Sequence, residues 1–256
     1  MIRWLFMVPV VLLISCGGGS SRRAATAPAP VSASSASLDS LWRQAESTVR
    51  HGKWSDAAKL LDRLLLEFQP GDPRIARAHF YLGEALYAQG RHLEAAREFR
   101  KASDETPNDP IAPEALLRLG DVYSDLWRRP ELDPTYGQTA LATYQELLNR
   151  YPGAAAAKRA QLRVTELNER FAYKAYKAAM FYFRLRAYDS AILYFKDLVA
   201  NYPKAAIAPD ALVKLVQAYR RLGYREDVQE TCDYIHRFHP KAPGAGEVCP
   251  TRTSGA

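Results

Sequence analysis

The chain of 256 residues holds only three cysteines and three methionines, and nowhere more than two basic residues in a row, as at Arg22-Arg23 and Arg128-Arg129. With no basic block to neutralise a run of phosphates, the formal charge of +7 does not point to nucleic acid. There is no glycine-rich loop ending in Gly-Lys-Ser or Gly-Lys-Thr, and no His-Glu-x-x-His, Gly-x-Ser-x-Gly or Cys-x-x-Cys. The many carboxylates sit beside Lys and Arg on helical faces, as solvated surfaces do. No enzyme and no cofactor is read from them. No segment alternates with the period of a strand. No apolar run reaches the about 20 residues that cross a bilayer. The longest, Trp4 to Ile14, has eleven.

That run follows one positive charge, Arg3, and stops on small residues, the pattern of a secretory signal peptide. Its end, Leu13-Ile14-Ser15-Cys16, resembles the lipobox of bacterial lipoprotein precursors. The resemblance implies cleavage before Cys16, a diacylglycerol on its sulfur and N-acylation. More than one acyl chain anchors stably where a single chain is marginal. Residues 1–15 are then the signal peptide. The remaining 241 residues carry a net charge of +6, because only Arg3 is lost. This mild bias reads as a solvated surface, with anionic headgroups or wall polymers as the alternative. Residues 16–37, rich in Gly, Ser, Ala and Pro, read as a lipidated linker unable to bury a core. Its 21 residues after Cys16 span about 25 Å root-mean-square as a flexible chain. Gly17 stands where enterobacterial lipoproteins retained at the inner membrane carry Asp, which favours the outer membrane.

Residues 38–240 repeat themselves. "DPIAPEALLRLGDVY" at 109–123 matches "AAIAPDALVKLVQAY" at 205–219, and four amphipathic segments run into Pro107, Pro152, Pro203 and Pro240. Leu82-Gly83, Gly90, Ala95, Phe99, Ala102 and Pro107 fall at the spacing of a tetratricopeptide repeat, two antiparallel helices in 34 residues. Gly83 and Ala95 are small where the two helices cross, Phe99 fills the space beside them and Pro107 ends the second. The same frame holds in four further units, so the expected fold is all-α, a solenoid of five such repeats. The frame is interrupted twice. Tyr123 and Ala140 lie 17 apart where the repeat expects 9, the excess falling in the proline-broken "DLWRRPELDPTYG". Then residues 154–188 run without Gly or Pro, which permits one long helix between units three and four, its first half outside the frame. The last stretch, 241–256, reads as a disordered tail.

Lipobox, polar linker, five repeats, the acidic loop "RPELDPTYGQTALATYQELLNRYP", the long helix into "YKAAMFYFRLRAY" and the closing "NYPKAAIAPDALVKLVQAY" together resemble the BamD family. These are lipoprotein subunits of the machine that assembles β-barrels in the bacterial outer membrane. The resemblance covers roughly residues 38–240. It implies a periplasm-facing, lipid-anchored scaffold on the outer membrane. The N-terminal repeats would receive unfolded outer-membrane protein precursors through their aromatic C-terminal signal. The C-terminal repeats would dock on the POTRA domain nearest the barrel of the BamA subunit. Many relatives carry Asn-Arg before the aromatic of the second helix in unit four, with the Arg facing BamA. Here Leu193-Tyr194 precede Phe195, so the arginine contact is either absent or replaced by Lys196, with Tyr194 and Lys196 as the candidates to face that partner. The alternative is another helical-repeat lipoprotein, a pilotin or a cell-wall enzyme regulator. A generic array would lack the loop at 129–137 and the long helix.

The first helices of the repeats line a concave wall, on which residues spaced i, i+3, i+7 and i+10 share a face. In unit two these are Arg77, Phe80, Glu84 and Tyr87; in unit one, Asp39, Trp42, Glu46 and Val49. Aromatics interleaved with charges suit an extended peptide. Trp42 and Phe80 are its anchors, unless they pack between units instead. In unit four Tyr173, Tyr176, Met180 and Phe183 form an apolar face, to be covered by the first half of the long helix rather than by a partner. Cys232, His236, His239 and Cys249 could supply four zinc ligands. Yet Cys232 takes the core position of Phe99, Tyr144 and Phe195, which favours a buried free thiol over a metal site or a disulfide.

Overall fold

A computed structural model describes residues 35–249; the signal segment, Cys16 with residues 17–34 of the linker, and 250–256 lie outside the described residues, and the expected linker is corrected at 35–37, which form the first turn of a helix. Within that range there are eleven helices and no strand. They pair as α1 (Ser35–Arg50) with α2 (Trp54–Glu67), α3 (Ile75–Ala88) with α4 (His92–Asp104), and α5 (Ala112–Leu126) with α6 (Thr135–Arg150). Next come α7 (Ala155–Arg184) with α8 (Tyr188–Asn201) and α9 (Ala208–Leu222) with α10 (Arg225–Phe238), closed by the short α11 (Ala245–Val248). Each helix packs on its successor in the chain, giving a solenoid of five helical hairpins whose core falls into three successive clusters.

The frame read from the sequence is the frame of the core. Ala57, Ala95, Ala140 and Ala191 are fully buried at the crossing points. Four residues on, Leu61, Phe99, Tyr144 and Phe195 are fully buried as well, and Cys232 holds the place in the last unit. The glycines opposite them are required by close approach. A Cβ on Gly83 would come within 2.7 Å of the Phe99 ring, and one on Gly120 would overlap Tyr144. The turn inside a hairpin is a left-handed residue followed by a long-range cap. Gly52, Gly90 and Gly223 have φ of +67°, +76° and +77°. The next N–H reaches back to the carbonyl of Thr48, Leu86 or Tyr219 at 2.9 to 3.0 Å. In unit four the same place is filled by Arg186, at φ +62°.

Helix α7 is 30 residues long, about 45 Å at the rise of an α-helix. Its first half buries Ala156, Ala157, Ala160 and Leu167, and Phe171 just beyond the midpoint, into the core shared with units one to three. Its second half buries Ala179 and packs Tyr176, Met180 and Phe183 against α8 and α9. The apolar face is thus covered internally, but not by the first half of α7: a single straight helix cannot fold over itself. Phe195 at 5.9 Å from Tyr176 and 6.3 Å from Phe183 supplies the cover, and Tyr173 stays 43% exposed.

The expected disordered tail is corrected over 241–249. There the chain turns back, forms α11, and buries Ala245, Val248 and Cys249 against Val213, Val216 and Ile235. The last hairpin would otherwise leave that seam open to water, and a few apolar residues suffice to close it. The buried free thiol is corrected too: Cys232 and Cys249 form a disulfide, with Cα atoms 5.4 Å apart. Cys232 does hold the core position, and α11 brings its partner into the same core. His236 meets the Cys249 carbonyl at 2.9 Å. Among the described residues no group of three His, Cys, Asp or Glu is arranged for a metal.

Candidate peptide-binding groove

Of the two expected anchors, only one is available. Trp42 is 9% exposed, with the Phe68 and Tyr81 rings each at 6.1 Å. It therefore belongs to the core between units one and two. A face defined by spacing alone cannot tell the side turned to the groove from the side turned to the next helix, because the apolar stripe of a solenoid helix is wide. Phe80 is half-buried, edge-on to Phe99 at 5.6 Å and tilted against Tyr81 at 6.1 Å. Arg77 is exposed and Glu46 half-buried on the same wall.

Glu84 and Tyr87 are tied across to the next unit. Arg118 of α5 bonds Glu84 through Nη2 at 3.0 Å, and its guanidinium lies 4.8 Å over the Tyr87 ring. Burial pushes the Arg118 pKa down, and the Glu84 carboxylate more than offsets this, leaving it raised. The Tyr87 hydroxyl donates to Asp125, which together with burial pushes its pKa up to about 12. The chain of contacts continues. Asp121 accepts from the Tyr144 hydroxyl at 2.7 Å and from Arg163 Nε of α7 at 3.1 Å. Arg159 of α7 holds Glu114 of α5 at 3.0 Å. At the other end Arg74 bridges Asp72 at 2.7 Å and Asp39 of α1 at 2.6 Å.

Units one to three and the first half of α7 are therefore joined by a ladder of ion pairs from one repeat to the next. Tyr87, Arg118, Asp121, Ser124, Asp125, Arg163 and Glu166 enclose a polar cavity of ≈280 Å³ on it. Such a wall presents donors and acceptors of both signs, with the Phe80 ring beside them, to a chain lying across the helices. Sequence reading missed Arg118, Asp121, Asp125 and Arg163. The signal was present: Asp39–Arg74 and Glu84–Arg118 are separated by 35 and 34 residues, one repeat.

The loop of unit three, 127–134, is pinned to the long helix. Trp127 is 2% exposed, its ring tilted against Phe171 with centroids 4.4 Å apart. Arg170 lies 4.5 Å over the indole and donates to the Trp127 carbonyl and to Ser124 Oγ, the latter at 3.2 Å. Burial pushes the Arg170 pKa down. Lys174 Nζ reaches the Glu131 and Leu132 carbonyls at 2.9 and 2.6 Å. Two cations of α7 thereby fix the loop against the helix that joins the two halves of the solenoid.

Tyr194 and Lys196 are not brought together. Two residues apart on a helix point about 200° apart. Tyr194 stacks on Tyr182 at 5.1 Å and lines a cleft with Phe171, Lys174 and Tyr202. Lys196 instead lines a cleft of ≈300 Å³ between α8, α9 and α10, with Tyr219, Asp227, Glu230 and Tyr234. Leu193 is 68% exposed between them.

Comparison with known proteins places this geometry in context. Residues 35–234 match the model of the YfiO family, described as outer membrane lipoprotein. The outer membrane protein assembly factor BamD of Xylella fastidiosa (strain 9a5c) is 27% identical over 199 residues, covering 73% of this chain and 67% of that protein. The factor of the same name from Neisseria meningitidis serogroup A is 22% identical over 219 residues, 81% of each chain. That of Vibrio cholerae is 33% identical over 103 residues, 40% of this chain and 43% of that one. Among solved structures, the TPR domain of P58(IPK) is 14% identical at a TM-score of 0.45, covering 83% of this chain and 54% of that one.

Proposed function

This chain belongs to the YfiO family of outer membrane lipoproteins, and from that premise we propose that it is a scaffold of outer-membrane protein assembly. It is held to the membrane by lipid on Cys16 and stands on a short polar linker. Its concave wall takes extended segments of unfolded β-barrel precursors. Its last two repeats dock on the POTRA domains of a BamA-type barrel protein. The observation that carries the reading is the ladder of repeat-to-repeat ion pairs beside Phe80, on a chain that matches the family from its first described helix to unit five.

The physical logic is that of weak, adaptable binding. A precursor must be held while unfolded and then released, so a wall of exchangeable ion pairs suits it better than a deep apolar pocket. Phe80 offers one aromatic contact, and Arg77 offers an unpaired charge that steers. For the partner side, Leu193 and Tyr194 on α8 and Tyr173 on α7 supply exposed or half-exposed apolar surface. Docking through stacked aromatics there replaces the arginine contact. No chemistry is assigned to the chain; it positions others.

A photo-crosslinking residue at Phe80 or Arg77 tests the groove. The expected result is capture of unfolded barrel precursors from periplasmic extract, lost when the same probe stands at Lys59 on α2. Equal capture from both places contradicts the groove.

A further inference from the structure

The ion pairs are unevenly distributed. Every one formed among the described residues lies between Asp39 and Glu166. Beyond that point five arginines gather on one edge of the last two repeats, where α7 turns into α8 and α9 into α10. They are Arg184, Arg186, Arg220, Arg221 and Arg225, all exposed. The two turns adjoin: Tyr224 Oη donates to Asp189 at 3.3 Å, and Phe183, Tyr188, Arg220 and Arg221 line one cleft. Three carboxylates share the edge, but Asp189 and Asp227 are turned to the hydroxyls of Tyr224 and Tyr219, leaving Glu226. Among the arginines only Arg184 is bonded, to the Met180 carbonyl at 3.2 Å.

Helix capping explains part of this cluster and not the rest. Arg220 and Arg221 end α9, where cations favour the dipole. Arg225 opens α10, where a cation is unfavourable. Arg186 takes the left-handed position that glycine fills in three other turns. Both break a local rule, as residues do when function outweighs stability. Apolar side chains protrude among the charges: Leu185 is 62% exposed, Phe181 57% and Tyr224 44%. Guanidinium groups interspersed with exposed Leu, Phe and Tyr fit the interface of a bilayer. The charges meet phosphate there while the apolar groups enter the headgroup layer.

We propose that this arginine edge is a second membrane contact, seated on anionic phospholipid headgroups. It would fix the orientation of the solenoid at the surface. The proposal rests on the lipid-anchored reading only for its setting. The 18 residues between Cys16 and α1 reach at most about 65 Å, so they permit the solenoid to lie along the surface.

The test takes the chain from residue 16 onward, which keeps every described residue, with Cys16→Ser to remove any lipid. Its partition is measured onto vesicles of phosphatidylethanolamine and phosphatidylglycerol at low salt, and onto purely zwitterionic vesicles. Binding only to the anionic vesicles is expected. R184Q/R186Q should weaken it by ten- to thirtyfold, from about 1 kcal/mol per basic residue at such a surface. A control of equal charge change elsewhere, K59Q/K158Q, should lose less than about threefold. Circular dichroism checks that all variants are folded. Equal losses in the two double variants would show net charge at work and overturn the edge. Binding to poly-glutamate but not to vesicles would overturn the membrane as its partner. Neither outcome touches the anchor, which is tested separately by the mass of the mature N-terminus.

Discussion

Gly120→Ala puts two opposed effects on one atom. In the interior of α5 the change from glycine should stabilise, because alanine is favoured by about 1 kcal/mol in a helix. The added Cβ, however, would overlap the ring of Tyr144. That ring cannot step aside. It is fully buried, and its hydroxyl is held by Asp121 at 2.7 Å. Overpacking a filled core costs about 1–3 kcal/mol, and an anchored ring places this site at the upper end. The balance is a net loss of about 2 kcal/mol. For a domain of this size that lowers the melting temperature by about 4–8 °C. Gly153→Ala, with nothing within 4 Å of the added atom, is the control and should be neutral or slightly stabilising. Thermal and urea melts followed at 222 nm read both. A Gly120→Ala protein as stable as the parent would show that the seam between α5 and α6 is not as close as described.

Other consequences follow from named contacts. Cys249→Ala opens a cross-link between residues 17 apart and should cost about 3 kcal/mol, seen as a melt that reductant no longer shifts. Arg170→Ala removes donors to Ser124 and Trp127 and should cost about 2–3 kcal/mol. Hydrogen exchange should quicken at 124–134 and 167–175, while faster exchange only in α1 would refute the clamp. The bond from Arg74 holds the Asp72 carboxyl below its ordinary pKa of 3.8. Since the folded value is the lower one, the stabilisation is complete above that ordinary value and is lost as pH falls through the depressed one. Acid titration of Asp72→Asn against the parent should show a smaller stability loss in that window, and identical acid profiles would contradict it.

The repeat architecture was legible because it is carried by period. Ala57, Ala95, Ala140 and Ala191, each with a large residue four places on, set the register of the first four hairpins, and all are buried as that register requires. The long helix announced itself by the absence of Gly and Pro, and α7 occupies nearly the whole stretch. Period carries less about what lies opposite a helix. Trp42 and Phe80 occupy equivalent steps in units one and two. Trp42 meets Phe68 at the end of the next helix and is buried, whereas Phe80 is only half-buried. The four residues of α11 are fewer than the turns needed to express amphipathicity, so its capping role, and with it the Cys232–Cys249 bridge, depended on tertiary contact. The ion-pair ladder lay between these cases, since its partners stand one repeat apart and needed only that offset to be searched.

The central claim is membership of an outer-membrane assembly machine, and it is tested most directly by isolating the full chain, tagged at its C-terminus, from gently solubilised outer membranes and identifying what accompanies it by mass spectrometry. The account predicts a stoichiometric β-barrel protein bearing POTRA domains, reduced when Leu193 and Tyr194 are both changed to Ala. Recovery of secretion or pilus components with no such barrel would contradict it.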